Sequence, residues 1–279
     1  MVLIAAMIFI QIGAALAKGL FPTVGAVGAV TLRLVLAAIM LVAAWRPWRM
    51  RPTRGEVRTI VMYGLAMGWM NFFFYSALRT IPLGLAVALE FAGPLALAML
   101  SSRRAIDFLW IALAVTGLFA LLSHGIRSAP LAPRGVGFAL AAGFCWALYI
   151  LFGQKAAVAQ GGQIAALGVL VAAIVIAPIG IVQVGIRLWS PAIWPAALGV
   201  ALLSSALPYS MEILALARLP ARTFGVLMSL EPALAAVSGW CFLGERLTWL
   251  QWVAIACIML ASSGSAFTSQ SADKSYRQI

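Results

Sequence analysis

The chain of 279 residues is 64% hydrophobic and 9% charged, with a mean hydropathy of +1.06. No soluble domain of that length is so apolar, which makes this an integral membrane protein. A net charge of +12 would raise nucleic-acid binding in a soluble chain; here the basic residues lie mainly between hydrophobic segments, where they fix orientation at a lipid surface, and no nucleic-acid partner is expected.

A helical span needs about 20 apolar residues to cross a hydrocarbon core of about 30 Å. In chain order the sequence predicts spans near 2-18, 25-45, 58-78, 82-101, 106-123, 135-154, 163-186, 192-217, 221-243 and 248-267. The first carries Ala15-Leu16-Ala17, which mimics a signal cleavage site, but no basic segment precedes it and nine further spans follow, so it is read as a first helix. Ten spans leave both termini on one side of the membrane. With that side cytoplasmic, the inner loops and tail hold Arg46, Arg49, Arg51, Arg54, Arg58, Arg103, Arg104, Lys155, Arg218, Arg222, Lys274 and Arg277. The outer loops hold only Lys18, Arg79, Arg127, Arg134, Arg187 and Arg246, a bias that favours cytoplasmic termini.

The two halves of the chain match at a nearly fixed offset. Lys18 and Lys155 are 137 residues apart, while Pro82 and Pro220, and Pro94 and Pro232, are 138 apart. The contexts agree as well, "SALRTIP" with "LALARLP" and "AGPLALAML" with "LEPALAAVS". Five spans per repeat is odd, so the second copy enters the membrane in the opposite sense, the inverted-repeat plan of secondary transporters, in which substrate binds near the midplane. The expected organisation is all-α, ten transmembrane helices, with residues 1–128 as the first repeat, 129–267 as the second and 268–279 as a cytoplasmic tail.

Of the seven acidic residues, Glu56, Asp107, Glu245 and Asp273 fall in loops, at span ends or in the tail, whereas Glu90, Glu212 and Glu231 fall inside spans. A charge at the centre of a membrane helix costs roughly 2.5 to 3.5 kcal/mol on insertion scales, so such residues need a reason. At 1.5 Å per residue Glu90 lies about 12 Å and Glu231 about 15 Å deep. Arg33 has a depth matching that of Glu90, and an ion pair between them is expected. Ala86 and Gly93 share a helix face with Glu90, and Ala235 and Ser238 share one with Glu231; small-residue faces pack closely or border a cavity. Pro94 and Pro232 follow the acids within one turn, and each frees a carbonyl in the turn before it, a helix break at the site.

Asn71 and Tyr75 share a face of the third span, and Tyr149, Tyr209, Gln11, Trp146 and Gln154 are further polar candidates. Glu212 is expected to pair with Arg218 or Arg222 near the cytoplasmic end, and His124, the sole histidine, lies at a span end without an evident role. The cysteines Cys145, Cys241 and Cys257 lie in apolar segments at no metal or redox spacing. There is no G-x-x-x-x-G-K-[ST] loop and no H-E-x-x-H pair, so no ATP motor, metal or cofactor is expected. Transport then draws on an ion gradient or on the substrate's own.

The stretches "ALRTIPLGLAVALEFAGPLALAMLSSRRAIDFLWIALAVTGL" and "ALPYSMEILALARLPARTFGVLMSLEPALAAVSGWCFLGERLT", with "GAALAKGLFPTVGAVGAVTLRL" near the N-terminus, resemble the EamA-type drug/metabolite transporter superfamily over about residues 11–267. The resemblance implies a ten-helix fold of two inverted repeats, cytoplasmic termini in a bacterial inner membrane, and efflux of threonine, homoserine and related small amino acids in exchange for protons. Similar exporters carry a short polar tail before the first helix, whereas Met1 here opens almost directly into it, and a truncated start would account for that.

A zwitterion needs an acid for its ammonium and a base or helix N-terminus for its carboxylate. The expected site is therefore Glu90 or Glu231 for the ammonium and the coupling proton, Arg33 orienting Glu90 or meeting the carboxylate, and Asn71, Tyr75, Tyr149 and Tyr209 around them. Glu231 has no basic partner at its depth, which makes it the better proton carrier. Lys18 and Lys155, near opposite faces, are candidate gates. The partners are a small amino acid, protons and membrane lipids; the sequence leaves the oligomeric state open. Another metabolite or a hydrophobic cation as cargo, a membrane-embedded transferase and a non-transporting helper subunit are the alternatives; the short basic loops disfavour the transferase.

Overall fold

The computed structural model describes residues 2–100, 105–128, 132–216 and 227–276, and every regular element among them is a helix. In chain order they are α1 (Val2–Gly19), α2 (Phe21–Trp45), α3 (Arg54–Ala77), α4 (Leu83–Glu90), α5 (Ala92–Leu100), α6 (Ala105–Ser128), α7 (Pro133–Val184), α8 (Trp194–Ala201), α9 (Leu207–Leu216), α10 (Glu231–Leu243) and α11 (Trp249–Tyr276). Short 3-10 turns join α2 to α3 and α7 to α8, and a π-helical segment, Leu202–Ala206, joins α8 to α9. Among the described residues six helical stretches are long and apolar enough to cross a membrane: Val2–Gly19, Phe21–Trp45, Arg54–Ala77, Pro133–Gly153, Gly162–Trp189 and Pro191–Glu212. Leu83–Leu97, Phe108–Ala120 and Trp249–Gly264 are shorter apolar helices.

Local chemistry explains where these elements begin and end. Pro22 occupies the first turn of α2, where its missing N–H costs nothing, and Gly25 at φ +68° bends the chain before the apolar run begins. The Thr53 hydroxyl accepts from the backbone N–H of Glu56 while the Glu56 carboxylate accepts from the backbone N–H of Thr53, a reciprocal cap that starts α3 at the membrane surface. The predicted fourth span is not one helix: it is divided at Phe91 into α4 and α5. The ninth predicted segment overlaps α10, and its residues 221–226 lie outside the described residues.

α7 has 52 residues, about 78 Å if straight and far more than a bilayer needs. It is two spans lying side by side. A Cβ on either Gly153 or Gly168 would meet the ring of Tyr63, yet a straight helix would hold those glycines about 22 Å apart. Gly64 and Gly68 of α3 carry the same interface on to Val171 and Ala172, and Phe73 stacks on Phe138. α3 is thereby wedged between Pro133–Gly153 and Gly162–Trp189 and makes its most extensive packing there.

α4 and α10 run antiparallel. A Cβ on Gly84 would lie 2.6 Å from the Cα of Ala236, and the backbone N–H of Leu83 reaches Glu245 just beyond the end of α10. The C-terminal end of α4 therefore lies at the level where α10 begins. Pro94 has no N–H to give the carbonyl of Glu90, and that freed carbonyl packs directly on Gly143, which in turn abuts Gly93. Trp146 closes the same spot with its ring edge-on to Phe91, centroids 5.5 Å apart.

The helix break depends on this glycine contact, because a methyl group at either position would fall inside a neighbouring carbonyl. Gly143→Ala is expected to lower the unfolding temperature in detergent by an amount equivalent to about 1–3 kcal/mol. Gly137→Ala, on the same helix with open space around it, is expected to be neutral or slightly stabilising, since alanine is the better helix former. Equal effects of the two substitutions in a thermal-shift assay would contradict the packing described.

Candidate functional site

The polar side chains carried at depth include two hydrogen-bonded groups, one around Arg33 of α2 and one that joins Gln11 of α1 to Glu231 of α10. Arg33, at the middle of α2, is 6% exposed. Its Nε donates to Ser205 Oγ at 2.9 Å, Nη2 donates to the Ser204 carbonyl at 2.8 Å, and Nη1 donates to Asn71 Oδ1. The guanidinium carbon lies 5.4 Å from the centroid of the Tyr75 ring, within range of a cation–π contact. Of the five N–H groups of an arginine, two remain beyond these bonds.

The expected Arg33–Glu90 ion pair is not formed. Arg33 is turned instead toward a carbonyl created by sequence. Pro208 stands four residues after Ser204 and has no N–H to return, so the chain widens into the π-helical turn Leu202–Ala206 and the Ser204 carbonyl is left for Arg33. Asn71 is held in place by its own amide, which donates to the Met67 carbonyl at 2.8 Å. Ser204 and Ser205 are residues that sequence reasoning passed over. The signal was available: a serine pair four residues before a proline in an apolar span makes the same freed carbonyl as Glu90 before Pro94.

Glu90 is the last residue of α4 and is 7% exposed. Among the described residues it makes no hydrogen bond or ion pair, and neither carboxylate oxygen is among the sealed polar atoms that lack a partner, so both reach open space. Glu231 is the first residue of α10, also 7% exposed, and accepts from Gln11 Nε2 at 3.3 Å. Its other oxygen, Oε2, and the Gln11 carbonyl oxygen are both buried without a donor. Pro232 does not interrupt a helix; it opens α10 in the first turn. Pro94 lies inside α5, three residues beyond the break. The small faces expected beside the two acids are packed: Ala86 and Ala235 are fully buried and Ser238 is 7% exposed.

The aromatic candidates divide. Tyr75 is fully enclosed, its hydroxyl without a partner, and it serves as the floor beneath Arg33. Tyr149 stacks on Tyr63 with centroids 4.7 Å apart. Tyr209 is buried on α9. Tyr63, not singled out from sequence, belongs to the same layer. Lys18 lies away from this centre, at the end of α1, where its Nζ is 2.5 Å from Glu245 Oε1. The other oxygen of Glu245 accepts from the backbone N–H of Leu83 at 2.7 Å, which satisfies the open first turn of α4. One ion pair therefore ties α1, α4 and the end of α10 together. Lys155 falls within α7, and its side chain lies outside the described residues, as do those of His124 and Gln154. Glu212 is half-buried on α9, and its expected partners Arg218 and Arg222 lie outside the described residues. A separate cleft of about 580 Å³, lined by residues that include Gly25, Arg79, Gln183 and Arg187, opens at the start of α2 and contains none of the central polar residues.

A family model described as the EamA-like transporter family matches residues 133–266. Threonine/homoserine exporter RhtA of Salmonella typhimurium (strain SL1344) is 53% identical over 268 residues, 96% of this chain and 91% of that protein. Threonine/homoserine exporter RhtA of Escherichia coli (strain K12) is 51% identical over 273 residues, 98% of this chain and 92% of that protein. A solved structure titled only as a crystal structure of a protein matches the fold with a TM-score of 0.63 at 20% identity, covering 95% of this chain and 96% of that one. With several apolar helices and relatives that are transporters over almost their whole length, this is a multi-pass membrane transporter and not an enzyme. The chain belongs to the EamA-like transporter family.

Proposed function

We propose that this chain exports threonine, homoserine and related small amino acids across the bacterial inner membrane in exchange for protons, by alternating access. The observation that carries the reading is the meeting of two unpaired carboxylates at the facing ends of two short helices, Glu90 closing α4 and Glu231 opening α10, beside an arginine held on a cradle of neutral oxygens. The end of α4 presents the negative pole of its dipole with a carboxylate beside it, and an ammonium is favoured there. The two spare N–H groups of Arg33 suit a substrate carboxylate. Relatives named for threonine and homoserine export supply the cargo.

Proton coupling is assigned to Glu231. The Glu231–Gln11 pair holds two buried acceptor oxygens with no donor, and a proton on the carboxyl supplies the missing one. The departing zwitterion carries no net charge, so a proton taken up by the carboxyl neutralises one buried negative charge and lowers the cost of holding the emptied site within the membrane.

The framework is ten spans arranged as two inverted five-helix repeats, 1–128 and 129–267, with both termini cytoplasmic. Its support lies in the breaks themselves. The turn at Phe91 and the turn at Ser229 and Leu230 stand 138 residues apart, the same offset as Pro94 and Pro232. Paired interruptions at equivalent places in two halves are the mark of a substrate site between inverted repeats. The Lys18–Glu245 pair then lies on the outer side and serves as the closed outer gate.

Labelled threonine uptake into inverted vesicles is expected to rise several-fold when an imposed pH gradient drives exchange. Glu231→Gln is expected to abolish that response to the gradient while preserving exchange of labelled for unlabelled threonine; an unchanged gradient response would remove Glu231 from coupling. Removal of one gate partner, by Lys18→Met, is expected to increase modification of Glu245→Cys by a membrane-impermeant thiol reagent applied from outside, read against Glu245→Cys alone. A rate that does not change would show that the pair does not close the outer side.

A further inference from the structure

We propose that the cleft of about 580 Å³ at the start of α2 is an outer carboxylate-binding subsite, in which Arg79 and Arg187 receive the amino acid as it leaves Arg33; this rests on the exporter reading above. Three helix ends build it. Arg79 follows the end of α3, Gln183 and Arg187 come from the end of the Gly162–Trp189 span, and Phe21 and Gly25 come from the start of α2. All three ends lie on the outer side in the proposed orientation. The cleft is open because Gly25, at φ +68° and ψ 174°, breaks the helical course of α2, and a Cβ there would meet nothing within 4 Å. Its lining carries two guanidinium groups and no acid, and among the described residues neither arginine makes an ion pair. Two cations held around one space repel each other until an anion enters, and a guanidinium meets a carboxylate with paired N–H donors.

Two ring contacts join this cleft to the central site. Phe21, in the wall of the cleft, lies 6.2 Å from Tyr75 between ring centroids, and the Tyr75 ring in turn carries the Arg33 guanidinium at 5.4 Å. Deeper than the cleft, α2 and the Gly162–Trp189 span close on each other, with Gly28 against Val184 and Gly180 against Thr31. Phe21 and Tyr75 are then the partition between the cleft and Arg33. Tyr75 is fully enclosed and its hydroxyl has no partner, which costs free energy in a buried place and would be relieved by a shift of the ring toward the cleft. Along α2, Gly25 precedes Arg33 by eight residues, about 12 Å. A carboxylate released by Arg33 therefore meets a second set of guanidinium groups one short step outward, while the cleft offers nothing to the ammonium.

The test measures sidedness. Right-side-out vesicles expose the outer face and inverted vesicles the cytoplasmic one; in each, exchange of preloaded labelled threonine is driven by added threonine or by threoninamide, which lacks the carboxylate. The double variant Arg79→Gln with Arg187→Gln is expected to raise the half-saturating threonine concentration at the outer face about fivefold, the upper size for an exposed charge pair. The preference for threonine over threoninamide at that face is expected to narrow by a similar factor. The shift at the cytoplasmic face is expected to be several-fold smaller, a difference that misfolding does not produce. Arg79→Lys with Arg187→Lys, which keeps both charges, is expected to recover most of the outer-face preference. Equal shifts at the two faces would overturn the subsite, as would an outer-face preference that the double variant leaves unaltered. A lipid phosphate is an anion of the same chemistry: a shift seen in proteoliposomes containing phosphatidylglycerol but absent in phosphatidylcholine alone would assign the cleft to a headgroup and overturn the proposal. Wild-type vesicles that exchange no threonine from either face would overturn the exporter reading first, and the subsite with it.

Discussion

The structure is governed by the cost of placing carboxylates at membrane depth without cations to match them. Arg33 is the basic residue carried at that depth, and its donors are committed to Ser205, the Ser204 carbonyl and Asn71. Among the described residues neither Glu90 nor Glu231 has a cation partner, and each is left to be stabilised by water, by a bound cation or by a proton. A fold that merely locked helices together would have set Arg33 against Glu90 and neutralised both. Keeping them apart leaves the two opposite charges unspent on each other.

Prolines arrange this by subtraction. Pro94 withholds a donor from the Glu90 carbonyl, Pro208 withholds one from Ser204, and Pro232 opens α10 just after Glu231. Each omission leaves backbone polarity exposed inside the bundle, where it must be met by something other than its own helix. Arg33 meets one of the freed carbonyls. Gly143 packs against another, and it can do so only because neither it nor Gly93 carries a side chain. The same absence of bulk brings α4 against α10 at Gly84, so the ends that carry Glu90 and Glu231 lie together. The backbone breaks, the small-residue contacts and the buried acids are thus parts of one arrangement. At the other end of α4, Glu245 accepts from its first turn and holds Lys18, so the same short helix links the acid centre to that ion pair.

Much of this could be read from the chain, because membrane burial turns composition directly into structure. Long apolar runs became helices, and the two acids with their prolines were visible as polar interruptions of uniform segments. The neighbours of Arg33 were not, since depth alone cannot say which of several helices a side chain will face. Its choice of Ser204 over Glu90 depends on a π-helical turn whose cause, Pro208, lies four residues away from the group it exposes. Tyr63 was hidden for a different reason: a tyrosine in an apolar span is ordinary, and only the packing of two spans on its ring gives it a place. Glu245 read as a loop residue because its partners, Lys18 and the N–H of Leu83, come from distant parts of the chain.

Central to the account is the placing of Glu90 and Glu231 at the facing ends of α4 and α10, where the proposed function has them take a cation or a proton. A carbodiimide that partitions into membranes and modifies protonated carboxyl groups, followed by peptide mass spectrometry, tests this directly on the intact protein in vesicles. The account predicts modification at both positions 90 and 231, slowed at both when threonine is present. Failure of the reagent to reach either acid, or rates indifferent to threonine, would contradict it.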